Sequence, residues 1–337
     1  MLTSLAEQYG RRIPECGVFE SLPSGSYHDL FALNASSLKA GLLRDGVSPK
    51  HMLAALSGQM KSESDAMRFG TAAHTVVFEG WQAFMRDVLV QGPCQGIKKD
   101  GDRCQVARGT WHFDGLWYCK THAPAGASQP DNIVESDSID RLTSICDAID
   151  GSDAADLIRS PARNELTCVW DMDGVRMKAR LDRFERNVPD RPFPGSPDRY
   201  GDGATVTDLK SAEPGKVDRH SVMESIKRYG WHIQCAVYLE AAVHCLDACP
   251  MFRWVFVEKR PPHDVAVWYA SENMIEWGQR DLKRLREGFR DAMQTGLWQG
   301  AGPVAGETNE IEPPEYFRAV LNSVGPITLG GNVVMGG

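Results

Sequence analysis

GVRMKARLDRF (174–184) and VTDLKSA (206–212) are the two segments that decide the fold of this chain. In the first, apolar side chains at odd positions alternate with charged side chains at even positions, a pattern typical of a β-strand. The second overlaps a short stretch over 204–210 that also predicts a strand. Because side chains alternate along a strand, we expect Asp208 and Lys210 to project from the same face.

The flanking sequence supplies partners for these strands. Leu166, Cys168 and Trp170 fall on alternate positions of a further strand, and Asp173-Gly174 is a hairpin-turn dipeptide. Downstream, the sequence predicts helices over 216–228, 230–246 and 272–294, and strands over 253–258 and 265–270. This order of helices and strands predicts an α/β domain around a mixed sheet.

The region before residue 165 is predicted to be mostly helical. Asn34 and Ser48-Pro49 are helix-start signals for helices over 35–43 and 48–56. Two more helices are expected over 66–79 and 137–160, whereas 1–33 should be loop-rich and 187–203 a Pro/Gly/Asp loop. The expected organisation is an N-terminal helical part (1–90), an insertion (91–130), the core (131–296) and a flexible Gly/Pro-rich tail (297–337).

Composition is that of an ordinary globular protein, with 42% hydrophobic and 24% charged residues among 337. No apolar run reaches the roughly 18–20 residues that cross a bilayer, so no membrane partner and a cytoplasmic location are expected. The net charge is −8, but acidic residues are concentrated in 128–160, which leaves room for a basic groove elsewhere. Nine cysteines, an odd number, argue against a disulfide framework.

The charged strand positions suggest a metal-dependent hydrolytic site. Asp208 offers a hard oxygen ligand for Mg²⁺, and Lys210 beside it can orient a water molecule and neutralise phosphate charge. Asp182 can supply a second carboxylate, and His74, on a predicted helix, can complete the site. An Asp-x-Lys pair alone is common on solvated strand edges, so the argument depends on the ordered set.

Four passages together resemble the exonuclease VIII (RecE) branch of the PD-(D/E)XK nuclease superfamily. RFGTAAH (68–74) resembles the helix motif in which a glycine precedes the metal-binding histidine. GVRMKARLDRF resembles the strand that ends in the first metal-binding aspartate, and VTDLKSA resembles the D-x-K core. YGWHIQCAVYLEA (229–241) is similar to the Q-x-x-x-Y helix motif, here Gln234 and Tyr238.

The resemblance covers residues 27–90 and 135–295 and implies a role for each motif residue. It implies that Mg²⁺ or Mn²⁺ is bound by His74, Asp182, Asp208 and the Leu209 carbonyl. Lys210 would activate the attacking water. Gln234 and Tyr238 would position DNA or buttress the site.

Other charged residues near these motifs have two interpretations each. Glu165 could approach the metal ions or be a surface strand residue. Arg180, with Arg176 and Lys178, could contact DNA phosphates or form a solvated strand face. The same two interpretations apply to Arg68.

The insertion carries a candidate zinc site. Its ligands have the spacing C-x9-C-x14-C-x2-H and are Cys94, Cys104, Cys119 and His122. Three thiolates and one imidazole form a closed tetrahedral Zn²⁺ site, and a segment with so few apolar residues needs a metal to fold. The module could grip DNA, separate its strands, dock a partner or be structural. Cys235, Cys245 and Cys249 are expected to be core thiols.

The resemblance implies an exodeoxyribonuclease that degrades linear double-stranded DNA 5′→3′ in phage- or prophage-type homologous recombination. It also implies a ring-like homo-oligomer and a single-strand annealing protein as partner. Two alternatives remain open at this point. One is an endonuclease or single-strand nuclease in repair or defence, and the other is a non-catalytic zinc-dependent DNA-binding protein.

Overall fold

The computed structural model describes residues 2–20, 22–43, 46–60, 64–130, 132–186 and 203–302, and the backbone of 327–329 and 332–335. The first half contains α1 (Leu2–Gln8), β1 (Gly17–Phe19), α2 (Ser24–Asp29), α3 (Ala35–Ala40), β2 (Leu42–Leu43), β3 (Gly46–Val47), α4 (Pro49–Leu56), α5 (Asp65–His74), a π-helical turn (Thr75–Glu79), α6 (Trp81–Asp87), β4 (Leu89–Val90), β5 (Trp111–Phe113), β6 (Leu116–Tyr118) and β7 (Ile133–Val134).

The second half carries most of the central sheet. Its elements are α7 (Ser138–Asp150), α8 (Ala155–Arg159), β8 (Arg163–Met172), β9 (Val175–Glu185), β10 (Thr205–Ala212), α9 (Arg219–Tyr229), α10 (Trp231–Leu246), β11 (Met251–Glu258), β12 (Val265–Tyr269), α11 (Glu272–Thr295), β13 (Ile327–Leu329) and β14 (Asn332–Met335). The predicted loop over 187–203 lies outside the described residues except for its last position, and so does most of the predicted tail.

A six-stranded sheet with the order β1-β8-β9-β10-β11-β12 forms the centre of the fold. Strands β10 and β11 are parallel and the other neighbours are antiparallel, so the predicted mixed sheet is confirmed. The expectation of a loop-rich 1–33 is wrong in part, because β1 adds an edge strand by backbone pairing to β8 and two short helices flank it. Only three residues of β1 pair, which is too short for a periodic signal.

Local capping explains where the predicted helices begin. Asn34 and Ser37 form a capping box at α3, and the Ser48 side chain caps α4, which has Pro49 at its start. Helix α3 ends at Ala40, earlier than predicted, because β2 and β3 pair immediately after it. The helix predicted over 137–160 is two helices, since α7 ends at Asp150 with Gly151 as its C-cap and α8 begins at Ala155.

Both faces of the sheet are covered. One face packs against α3, α10 and α11, through sheet residues that include Leu181, Val206 and Trp254. The other packs against α5, the π-helical turn and α7, through Leu209, Val255 and Val257. Strand β11 is therefore buried along its whole length and β10 over residues 205–209, so Asp208 lies in a dry environment, whereas β10 becomes partly accessible from Lys210 onward.

Residues 1–300 form one compact unit and residues 301–337 another. In the second unit, β13 and β14 pair as an antiparallel hairpin. Across the described residues, no helix combines the length and the apolar character that a membrane span requires.

Candidate active site and metal centres

The candidate active site lies where β9 and β10 separate. The two strands pair only over Thr205–Thr207, so the backbone of Leu209 lacks a ladder partner on the β9 side. Its N–H instead donates to the Asp182 carboxylate over 3.1 Å. Its carbonyl accepts from His74 Nε2 over 2.8 Å. Because strand pairing ends here, the N–H and carbonyl of Leu209 are available for contacts with Asp182 and His74.

Helix α5 and the π-helical turn after it bring His74 to this point. Its ring packs edge-on against Phe78, 5.8 Å between centroids, and its Nδ1 lies 3.2 Å from Asp182 Oδ2. Ala72 and Ala73 of the same helix are buried, which fixes the helix against the sheet. The histidine therefore reaches the strands from the face opposite α10.

Asp208 is fully buried and is held by two side chains that the sequence singled out. Lys210 Nζ lies 2.7 and 2.6 Å from its two carboxylate oxygens, and Gln234 Nε2 donates to Oδ1 over 2.9 Å. Gln234 also donates to the Tyr238 hydroxyl, which lies 3.4 Å from Asp182. The Q-x-x-x-Y pair of α10 therefore links the two aspartates.

Glu165 also faces this site, as expected from the interpretation that it could approach the metal ions. Its carboxylate pairs with Arg180, Oε2 to Nε 2.5 Å, and both side chains are largely buried. Ligand atoms of His74, Glu165 and Asp182 all lie within 4.8 Å of one another. Glu165 has φ +50°, a left-handed conformation that costs a non-glycine residue about 1–3 kcal/mol and is concentrated at functional sites.

Burial dominates the electrostatics of these groups. It raises the pKa of Asp208 to about 7, against the opposing effect of Lys210, and raises the pKa of Glu165 to about 8, with help from Asp182. It also lowers the pKa of His74 to about 4, with Lys210 as the second cause. The metal-free site therefore favours neutral side chains, and a bound cation would favour the opposite state.

The donor set fits a hard divalent cation. The His74 ring has an acceptor on each side, the Leu209 carbonyl at Nε2 and the Asp182 carboxylate at Nδ1. A neutral imidazole donates only one hydrogen bond, and burial keeps this one neutral. The ring N–H can satisfy one contact, and a cation bound to the other ring nitrogen and its facing oxygen would satisfy the second; carboxylate and carbonyl oxygens suit Mg²⁺ or Mn²⁺.

Two cations of the β9 row, Lys178 and Arg176, are bound by other groups of the protein. Lys178 is 3% exposed and donates to the carbonyls of Tyr27 and Leu30. Arg176 is bound by Asp171 through two hydrogen bonds. For Lys178 both interpretations, phosphate contact and solvated face, are therefore wrong, because the segment before α3 covers this part of the sheet. Arg68 forms an ion pair with Asp65 on the surface of α5.

Sequence reasoning missed Lys39, which lies on α3 near Asp208 and Lys210. Its pKa is lowered to about 8 by burial and then by the charge of Lys210, and Asp208 opposes this shift. Lys39 therefore lies within electrostatic reach of the D-x-K pair. A single lysine in a short helix carries no periodic or motif signal, so only the packing of α3 against α10 reveals it.

The predicted zinc ligands converge in the insertion. His122 Nδ1 lies 3.5 Å from the sulfur of Cys94 and 3.3 Å from that of Cys119, and the sulfurs of Cys104 and Cys119 are 3.9 Å apart. Tetrahedral Zn²⁺ with bonds of about 2.0–2.3 Å requires separations of roughly 3.5–3.8 Å between ligand atoms. The four residues therefore fit a zinc ion.

Neighbouring backbone groups favour the thiolate form. Burial opposes ionisation of Cys119, yet hydrogen bonds from the backbone of His122 and Thr121 lower its pKa to about 6. The Gly96 N–H donates to the Cys94 sulfur over 3.3 Å. A Cβ at Gly96 would lie 2.3 Å from the His122 ring, so glycine is needed there.

The remaining cysteines divide between core and surface. Cys235 is fully buried and Cys245 is half-buried, whereas Cys249 is exposed. The expectation that Cys249 is a core thiol is therefore wrong, because it follows the end of α10 in the connection to β11.

Comparisons with known proteins agree with the fold described above. Residues 35–305 match the family described as a PDDEXK-like domain of unknown function (DUF3799). A crystal structure of a protein from Eubacterium rectale, named "Putative exonuclease", is similar with a TM-score of 0.50 and 11% identity, over 89% of this chain and 98% of that one. No curated protein matches the chain. Since the family match spans most of its length, the chain belongs to the PDDEXK-like DUF3799 family and has the PD-(D/E)XK nuclease fold, with a cysteine–histidine cluster in its insertion.

Proposed function

We propose that this protein is a divalent-metal-dependent deoxyribonuclease that hydrolyses phosphodiester bonds of DNA. The observation that carries the proposal is the convergence of His74, Asp182 and the Leu209 carbonyl beside the Asp208–Lys210 pair. Family membership supports a nuclease, because the shared fold is that of PD-(D/E)XK nucleases.

Each side chain has a role that follows from its contacts. His74, Asp182, Asp208 and the Leu209 carbonyl would hold Mg²⁺ or Mn²⁺, and Glu165 lies close enough to His74 and Asp182 to contribute a ligand. The bound ion supplies positive charge that makes a water molecule more acidic and stabilises phosphate oxygens.

Lys210 supplies a positively charged side chain to the proposed reaction. Its ammonium group lies against the Asp208 carboxylate and is only partly exposed, so it can hold an attacking water and neutralise charge that develops on the phosphate. Gln234 and Tyr238 keep the aspartates in place through their shared hydrogen bonds. Arg180, paired with Glu165, would keep that carboxylate aimed at the centre.

We further propose exonucleolytic action on linear duplex DNA, 5′→3′. The resemblance to the exonuclease VIII branch supports this, and the similar Eubacterium rectale protein carries an exonuclease name. The same resemblance supports a homo-oligomer, a single-strand annealing partner and a role in homologous recombination.

The test uses DNA with and without ends. Purified protein in Mg²⁺ should release nucleotides from linear duplex and leave covalently closed circles intact, and 5′- and 3′-labelled ends should lose label at different rates. Cleavage of the closed circle would contradict an exonuclease. Asp208→Asn should reduce hydrolysis about 100- to 1,000-fold or more.

The control for this variant is Asp291→Asn, which alters an exposed acid of α11 that pairs with the adjacent Arg290. We expect its activity to equal that of the wild type. Equal activity of Asp208→Asn and the wild type, with both folded by circular dichroism, would refute the proposed site.

For the insertion we propose a structural Zn²⁺ ion held by Cys94, Cys104, Cys119 and His122. The support is the ligand set, its tetrahedral separations and the lowered pKa of the Cys119 thiol.

A further inference from the structure

The junction between α9 and α10 borders the proposed active site. Tyr229 ends α9 and is 51% exposed, although it is a large aromatic residue. Its ring lies against that of Trp231, with centroids 5.1 Å apart and planes 32° apart. Lys210 Nζ lies 5.4 Å over the Trp231 ring. An exposed aromatic side chain is thus linked through one neighbour to the proposed catalytic lysine.

Side chains that precede and follow Tyr229 in the sequence contact its ring. The Arg228 guanidinium lies 5.5 Å from its centroid, and Trp231 in turn packs against Phe256 of β11. A ring fixed in this way loses little freedom when a ligand covers its exposed face. The sheet therefore supports an aromatic surface that remains open to solvent.

Gly230 separates the two aromatic residues and makes room for Lys39. It has φ +63°, and a Cβ there would lie 2.9 Å from Lys39 Cδ and 3.0 Å from Cγ. The aliphatic part of Lys39 therefore passes directly over the junction. Only a glycine provides both the left-handed turn and the space for this side chain.

Lys39 is a cation without an ion pair among the described contacts. No carboxylate in the described part of the chain lies within 4.0 Å of its ammonium group, although Asp208 and Lys210 both affect its pKa. That pKa, about 8 because of burial and Lys210, leaves the group largely protonated at neutral pH. A half-buried ammonium group that remains charged, with no carboxylate partner among the described residues, can bind an anionic group of a ligand.

We propose that Lys39 and Tyr229 form a nucleotide-binding subsite, in which Lys39 binds a phosphate of one DNA strand and Tyr229 stacks on a base of that strand. The subsite rests on the proposed nuclease function and extends it beyond the metal ligands. Stacking on an aromatic ring is possible for every base, so the subsite would bind DNA without sequence preference. It would hold the strand whose phosphate lies next to Lys210.

The first experiment isolates the aromatic contact. Duplex oligonucleotides carry 2-aminopurine at the first, second or third nucleotide, and fluorescence is followed on binding with Mg²⁺ omitted. Stacking on Tyr229 should quench one of these positions. Tyr229→Ala should abolish that quenching and, with Mg²⁺ present, raise KM about tenfold while kcat changes less than about twofold. Tyr229→Phe should keep both properties, and Phe19→Ala, an exposed aromatic on the edge strand β1, serves as control.

The second experiment isolates the phosphate contact. Lys39→Gln should raise KM and reduce the dependence of log Kd on log salt by about one unit, and Lys39→Arg should restore part of the affinity. Lys283→Gln, on the exposed surface of α11, is the matched control.

The outcomes separate the subsite from the nuclease proposal. If the wild type cleaves DNA and both Tyr229→Ala and Lys39→Gln keep its KM, quenching and salt dependence, the subsite is wrong. If the wild type shows Tyr229-dependent quenching and Lys39-dependent salt effects without cleavage, the subsite stands and the nuclease proposal fails.

Discussion

The carboxylates of the proposed metal centre are buried next to one another, and this burial raises their pKa values. Asp208 is enclosed by the sheet and α10, and Glu165 is close to Asp182, so burial disfavours ionisation of either carboxyl more than the neighbouring Lys210 and Arg180 favour it. A divalent ion would remove this penalty by favouring the charged forms. Metal binding and proton release are therefore coupled at this site.

We predict that the apparent affinity for Mg²⁺ rises between pH 6 and pH 8. Protons occupy Asp208 below about pH 7 and Glu165 below about pH 8, so each competes with the metal, by up to about tenfold per pH unit. Isothermal titration with Mg²⁺ at several pH values measures this. Glu165→Gln, which has no carboxyl proton to lose, should flatten the dependence above pH 7. A constant affinity over this range in the wild type would contradict the prediction.

A second residue-scale prediction concerns the close contact of α10 and α11. A Cβ at Gly278 would lie 2.2 Å from the His232 backbone oxygen and 3.1 Å from the Ala236 Cβ. Gly278→Ala should therefore lower the free energy of unfolding by about 1–3 kcal/mol, although alanine favours helix. Urea denaturation measures this. Gly70→Ala is the control, because nothing lies within 4 Å of that Cβ position, and it should not destabilise the protein.

At the scale of elements, the insertion has almost no apolar core. Its buried cluster in the described structure consists of the sulfur-bearing side chains of Cys94, Cys104 and Cys119. The β5–β6 hairpin has only three residue pairs and is too small to be stable alone. A metal that joins four side chains would replace the missing hydrophobic contacts.

We predict that the protein contains one zinc ion per chain and that Cys119→Ser loses it. Because the thiolate with the lowered pKa is removed, the insertion should unfold locally while the sheet remains intact. Elemental analysis measures the zinc, and limited proteolysis should show new cleavage within 91–130. Cys146→Ser, on α7 outside the cluster, should keep both zinc and resistance. A wild type without zinc would contradict the prediction.

At the scale of the whole molecule, a buried ionic cluster joins three strands of the central sheet. Glu185 of β9 accepts from Arg183 over 2.9 Å and from Arg253 of β11. Arg253 Nε donates to Thr207 of β10 over 2.8 Å, and the Ser160 hydroxyl donates to Glu185. The cluster lies where β9 and β10 are still paired, next to the point where they separate.

We predict that Glu185→Gln destabilises the whole unit. Both arginines are 2% exposed and would lose their counter-charge, a change that costs about 3–5 kcal/mol for buried pairs. The midpoint of urea unfolding should fall accordingly. Glu287→Gln, an exposed acid 4.0 Å from Lys283, should change stability by less than about 0.5 kcal/mol. A similarly small effect for Glu185→Gln would show that the cluster is not required.

Much of the fold could be predicted because its signals are local. Alternation in 174–184 identified β9, the caps at Asn34 and Ser48 fixed the starts of α3 and α4, and the order of elements indicated a mixed sheet. Edge strand β1 and the break between α7 and α8 could not be predicted with confidence from periodicity, because each depends on a few residues and their tertiary contacts.

The sequence by itself determined which residue types the site contains, since Asp208-Leu209-Lys210 and the Gln234–Tyr238 spacing fix their faces through strand and helix periodicity. Only the tertiary structure decided how they meet. His74 reaches a carbonyl 135 positions away because β9 and β10 stop pairing before Leu209. The same packing buried Lys178 and brought Lys39 to the site, because side-chain environment depends on which elements cover a strand and not on the strand's own pattern.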